Sequence, residues 1–195
     1  MKRKSYTGYI IGGILLVLVV FCIIVFNRLV TKEEKVKLQW NEVQNNYQRR
    51  LDLIPSLVKT VEGGAAYEQG TLTRIAEARA KAIAVGSSTE ATAGNVNRAN
   101  QAQDELAGAA NRLLISVEKY PQIQGTKAFS GLQSQLEGTE RRIKVARKDF
   151  NAAIAEYNSS VKSFPTNIIA PVLGFKSKEG FQSDTGAAQA IEIKF

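Results

Sequence analysis

The sequence predicts an all-α protein: an N-terminal transmembrane helix followed by an antiparallel, four-helix-bundle-like domain of long helices. Three observations carry this. Gly8 to Phe26 is a run of nineteen residues with no charge. Beyond it, apolar residues recur at spacings of three and four through most of the chain, the period of a helix with one buried face. The breaks between these periodic segments are short and contain glycine or proline, as expected for helices that fold back on their neighbours.

At 1.5 Å per residue, nineteen helical residues span roughly 28 Å, close to the hydrocarbon thickness of a bilayer. Only a helix satisfies its own backbone polar groups at that depth unless a barrel closes around them. A secretory cleavage site needs small residues after the apolar core, and Val25-Phe26-Asn27-Arg28-Leu29 offers none. A lipoprotein signal needs a small residue just before the cysteine, whereas Cys22 follows Val19-Val20-Phe21. The run therefore reads as an uncleaved signal anchor that crosses the cytoplasmic membrane once, with the lipid bilayer as first partner. Lys2, Arg3 and Lys4 precede it, and Arg28, Lys32, Lys35 and Lys37 follow, so the flanks are nearly balanced. The compact basic cluster on a short tail resembles a retained n-region and favours a periplasmic or extracytoplasmic domain. Tyr6 and Tyr9 fit an aromatic belt at one end of the span. Trp40, about twenty ångströms beyond Phe26 on a helix, fits core packing instead.

The parts are thus a basic tail (1–7), the span (8–26), a bundle (27–165) and an irregular strap and tail (166–195). In the first bundle helix Val36, Trp40, Val43, Tyr47, Leu51, Ile54, Val58 and Val61 form one stripe. Pro55 interrupts it and predicts either a kink or a short break. Gly63-Gly64 and Gly70 mark the next weak point. A second helix runs from Leu72 to Val85 and stops at Gly86. Ser87 with Glu90 makes a capping-box signature for a third helix, whose face carries Ala99, Ala102, Leu106, Ala109, Leu113, Val117 and Tyr120 before Pro121. The last helix places Phe129, Leu132, Leu136, Thr139, Ile143, Ala146, Phe150, Ala153, Tyr157, Val161 and Phe164 on one stripe, ended by Pro165. A repeat averaging 3.5 residues favours shallow left-handed packing. An intermolecular coiled coil is the competing reading of that stripe, and the short breaks favour the intrachain bundle. Asn167 to Phe175 predicts a strap across the bundle. Lys176 to Ala190 predicts a mobile segment, and the final AIEIKF a disordered tail.

Composition narrows the function. The chain carries 26 basic residues, 18 acidic residues and no histidine, for a formal charge of +8. No Ser-His-Asp or Cys-His arrangement is available, and no histidine-containing metal site. Eighteen scattered acids select no catalytic pair, so the expectation is a protein that is not an enzyme and uses no cofactor. The basic residues alternate with glutamates and match no nucleic-acid-binding motif, which argues against nucleic acid as a partner. The one cysteine lies in the span and cannot form an intrachain disulfide.

Several strings are too particular for a generic bundle: FNRLV at 26–30, WNEVQNNYQRRLDLIPSLVKTVEG at 40–63, TLTRIAEARA at 71–80, LLISVEKYPQIQ at 113–124 and LQSQLEGTERRIKVARKDFNAAIAEYN at 132–158. In this order they resemble the LemA family of bacterial membrane-anchored proteins, over about Phe26 to Phe181. The resemblance implies a helical bundle on an N-terminal membrane helix and implies no reaction. The chain departs from the family at Tyr67-Glu68, where His-Glu is common, and at Glu140-Arg141-Arg142, where Glu-Asn-Arg is frequent.

Arg49, Arg50, Asp52, Glu137, Glu140, Arg141 and Arg147 lie beside the apolar stripes. Ion pairs that fix bundle register are the plainer reading; a partner-binding surface including Arg50, Asp52 and Glu140 is the sharper one. The functional expectation is self-association into a homo-oligomer, or scaffolding at the membrane with its organisation or remodelling. The alternative is an adaptor or sensor serving a protease or other envelope protein.

Overall fold

One helix, α1 (Thr7–Glu62, 56 residues), carries both the membrane span and the first wall of the bundle. The computed structural model describes residues 7–62, 69–86 and 90–182. Their other helices are α2 (Gln69–Gly86), α3 (Ala93–Val117), α4 (Pro121–Gln124), α5 (Lys127–Lys162) and α6 (Thr166–Ile169), and the described residues contain no strand. From Tyr9 to Ile24 α1 is apolar and exposed on nearly every side. Such a surface is disfavoured in water by about 25 cal/mol per Å² and is at home in lipid. Burial begins at Val25 and Leu29 and continues through Val36, Trp40, Val43 and Tyr47.

α5 runs antiparallel to α1, as the pairs Lys35–Glu156, Tyr47–Arg147 and Arg50–Glu140 show. α2 and α3 form a second antiparallel pair, tied by Lys81–Glu105, that packs on the far half of α1. The arrangement is a helical bundle, as the 3–4 periodicity predicts.

Pro55 neither ends nor interrupts α1. A proline lacks the N–H that would bond the carbonyl four residues back. Here that carbonyl, Leu51 O, accepts from Arg79 Nε of α2 at 3.2 Å. The neighbouring helix thus supplies the missing donor. Past Pro55 the buried face is carried by Leu57 and Val61, with Val58 only partly covered, because a 3.6-residue helix drifts from a strict 3.5-residue stripe.

Three other boundaries differ from expectation. α3 begins at Ala93, capped by Thr92, whose hydroxyl oxygen accepts from the Asn95 N–H. Glu90 therefore lies outside the helix, and its carbonyl accepts from the backbone N–H of Thr92 and from Asn95 Nδ2. Pro121 does not end α3, which stops at Val117. It opens α4 at a first-turn position where a missing N–H is harmless. Phe164 leaves the α5 stripe because the backbone turns extended at Ser163, and its ring is 80% exposed. Ser87, the Gly63-Gly64 break, Tyr67-Glu68, the N-terminal basic cluster with Tyr6, and the AIEIKF tail lie outside the described residues.

The strap is longer than its polarity predicts. Gly174 takes φ +88°, a turn that favours glycine, and delivers Phe175 against Phe26 with ring centroids 5.6 Å apart. Beyond it, two asparagines of α5 hold the chain. Asn158 accepts from the Lys178 N–H at 2.9 Å and donates to the Lys178 carbonyl at 2.8 Å. Asn151 does the same for Phe181, at 2.9 and 3.1 Å. Each side-chain amide stands in for a strand partner. The spacing fits: seven helical residues and three extended residues both cover roughly 10 Å. Of the segment polar enough to read as mobile, the described residues 176–182 are therefore fixed by their backbone. A β-carbon at Gly180 would overlap Asn151 Oδ1. Gly180→Ala is expected to break the Asn151 clamp, lower stability by about 1–2 kcal/mol, and shift Trp40 emission to the red as Phe181 lifts away. Unchanged emission and melting would count against the clamp.

Candidate functional site

The core of the bundle is two apolar clusters. One runs from Val25 to Tyr47 on α1 and from Ile143 to Phe175 on the other wall; the second starts at Leu51 and Leu136. Between them lies a polar layer. Arg50, Gln103 and Thr139 occupy positions on the apolar stripes of α1, α3 and α5, three or four residues from core neighbours, and all three are buried. Arg50 Nη2 lies 2.6 Å from the Glu140 carboxylate. Its Nη1 donates to the Gln103 carbonyl at 2.9 Å and to Gln103 Oε1 at 3.1 Å. Arg50 Nε is buried without a hydrogen-bond partner. Thr139 turns its hydroxyl to the Gln135 carbonyl of its own helix.

About two turns nearer the membrane along α5, Arg147 joins four parts of the fold. From α5 its Nε donates to the Tyr47 hydroxyl of α1 at 3.0 Å, and its Nη2 lies 2.9 Å from Asp104 of α3. The guanidinium also stands 5.3 Å from the centroid of Phe181 in the strap. Burial disfavours the Arg147 charge, but Tyr47 and Asp104 outweigh it and raise its pKa. Burial likewise lifts the Tyr47 phenol, with Arg147 acting in the opposite direction. Phe181 packs in turn on Trp40 and Phe150, at 6.2 and 5.5 Å between centroids.

Of the seven residues singled out in the sequence, three meet in this region: Arg50, Glu140 and Arg147. Asp52 accepts from Gln48, and Glu137 from Gln133, on exposed helix surface. Arg141 is exposed and bonds the Glu137 carbonyl at 3.4 Å; Arg49 is exposed too. Periodicity did not select Gln103, Asp104, Asn151 or Asn158. The two asparagines did leave a trace, standing one heptad apart beside the stripe.

Near the span a second charged group ties α1 to α5 and the strap. Glu156 lies 2.7 Å from Lys35 and 3.2 Å from Lys32, and Lys178 lies 2.8 Å from Glu33. Hydrogen bonds from Lys35 and Lys32 hold the Glu156 carboxyl below the usual carboxylate range. A depressed folded-state pKa contributes stability that is present above the unfolded value and disappears as pH falls through the folded one. Melting temperature should therefore drop on acidification below about pH 4.3, and Glu156→Gln should flatten that drop. Parallel acid profiles for the two proteins would refute the link. Among the described residues, no group of three or more cysteine or carboxylate side chains is placed to hold a metal ion.

Comparison with known proteins agrees with this architecture. The chain is similar to magnetosome proteins MamQ 1 and MamQ 2 of Paramagnetospirillum magneticum, each 28% identical over 175 residues. Magnetosome protein MamQ of Magnetospirillum gryphiswaldense is 28% identical over 174 residues. Each alignment covers 80% of this chain and 64% of the relative, so the chain spans under two thirds of these proteins' length. The sequence model of the LemA family matches residues 39–195, from the residue before Trp40 through α2, α3, α5 and the strap. On that match, which takes in most of the chain, this protein belongs to the LemA family.

Proposed function

We propose that this protein is a non-enzymatic, membrane-anchored scaffold that self-associates at the bacterial membrane and organises or remodels the bilayer beneath it. The observation that carries the reading is the continuity of α1. The exposed apolar span and the bundle wall are one helix with no break from Thr7 to Glu62. Lateral contacts between bundles are then transmitted to the span through a stiff rod rather than a linker. The charges of the polar layer support a structural role, because Arg50, Glu140 and Arg147 each engage other helices of the same chain.

The full-length protein reconstituted in liposomes should give a ladder of chemically cross-linked species that lengthens with protein-to-lipid ratio, and should alter vesicle shape in electron micrographs. A protein monomeric in detergent and in liposomes, with vesicles unchanged, would end the scaffold reading. A stoichiometric envelope-protein partner recovered without self-assembly would favour the adaptor instead. Orientation is read in cells: Ser134→Cys in a Cys22→Ser background should react with an impermeant thiol reagent on intact cells if the bundle is extracytoplasmic.

A further inference from the structure

The bundle end nearest the membrane carries an apolar surface that the anchor does not explain. Phe164, Ile168 and Val172 are 80%, 63% and 85% exposed, on the corner where α5 gives way to α6 and the following turn. The α1–α5 pairing sets their depth. Glu156 is level with Lys32 and Lys35. From there α5 continues six residues to Lys162, roughly 9 Å towards the bilayer, while α1 covers the same distance between Lys32 and Phe26. The end of α5 therefore stands at the end of the span. Two contacts bracket the corner at that level. Phe175 packs on Phe26, and Phe164 lines a cleft of about 380 Å³ with Phe21, Ile24 and Arg28.

We propose that this corner is a second membrane-insertion element: Phe164, Ile168 and Val172 enter the interface of the leaflet from which α1 emerges. The occupant is the phospholipid surface itself. The same bilayer that covers Phe21 and Ile24 reaches Phe164 across the cleft, and depths of about 5–10 Å are usual for such interfacial elements. Charge agrees with the placement. Exposed Arg28, Lys162 and Lys176 ring the corner, where long basic side chains lie along apolar surface and present their heads to lipid phosphates. Of the acids near this end, Glu156 is held by Lys32 and Lys35 and Glu33 by Lys178. The anchor then fixes the bundle's position and the corner fixes its tilt, so that every copy presents one defined side to its neighbours. This inference rests on the membrane-anchored reading and goes beyond it.

The test places an environment-sensitive fluorophore on full-length protein, in a Cys22→Ser background, at Val172→Cys, at Ile14→Cys in the span, or at Ser134→Cys on exposed α5. Vesicles combine phosphatidylcholine and phosphatidylglycerol with nitroxide-labelled lipid as quencher. The label at 172 should be blue-shifted and quenched like the one at 14, with 134 unaffected. Adding Phe164→Ser and Ile168→Ser, two exposed positions, should abolish quenching at 172 while leaving the span label and the helical melt unchanged. The inference is overturned if 172 behaves like 134 while 14 is quenched, or if the double serine variant keeps full quenching. It is overturned equally if 172 is shielded from aqueous iodide yet unquenched by lipid, the signature of a second copy covering the corner. An unquenched label at 14 would sink the anchor and this inference with it.

Discussion

Phe150→Ala is expected to lower stability by about 3–5 kcal/mol, the usual cost of removing a fully buried aromatic ring. Phe150 is wholly buried, 5.4 Å from the Trp40 ring and 5.5 Å from Phe181 between centroids. Its ring is the floor on which α1 and the strap meet, so the cavity is lined from three directions and cannot close by moving one element. Denaturant titration of the solubilised protein reads the loss, and Trp40 adds a local signal because it is the only tryptophan. Its emission should move to the red before global unfolding, as Phe181 loses its seat. Phe150→Leu retains much of the apolar volume and should cost less. A loss under about 1 kcal/mol, the centre of the range for ordinary substitutions, would show that the aromatic cluster is not the keystone of this half.

Glu140→Ala is expected to cost about 3 kcal/mol, at the low end for orphaning one partner of a buried ion pair. The low end applies because the Glu140 side chain is 37% exposed and that of Arg50 only 2%. Water therefore reaches the carboxylate but not the guanidinium. The cost arises from Arg50, left buried with only Gln103 as acceptor. Arg50→Met should be far milder, since it removes the buried charge and Glu140 is resolvated at the rim. Asp104→Ala should cost under about 1 kcal/mol, as the half-exposed partner of Arg147. The swap Arg50→Glu with Glu140→Arg should recover little. The Gln103 main-chain carbonyl that accepts from Arg50 cannot become a donor to a glutamate. Equal losses for Glu140→Ala and Asp104→Ala would remove the distinction between a buried register pair and a surface one.

The course of the helices was legible because it is local. An apolar residue every three or four positions marks a helix face whatever that face meets, and nineteen uncharged residues reach across a bilayer in any context. The family strings were legible for the same reason, as unbroken stretches of chain. Charged residues beside the stripes announced that polar groups enter the core, yet four of the seven proved to be solvated or paired within their own helix surface. The difference between Arg49 and Arg50 is a rotation of 100° about α1, and its consequence depends on what α3 and α5 place opposite.

Helix type, the span, the stripe and the family thus belong to sequence alone, since each is set by neighbours within a few turns. Which side chains meet was settled by assembly. Arg79, 28 residues on from Leu51, gives the Leu51 carbonyl the donor that Pro55 lacks, Arg50 finds Glu140 across 90 residues, and Asn151 holds Phe181 across 30. None of these partners is specified by propensity or period. Each exists because burying the apolar faces of α1 and α5 brings particular polar groups together out of water, where leaving any one unpaired costs more than the bond it makes.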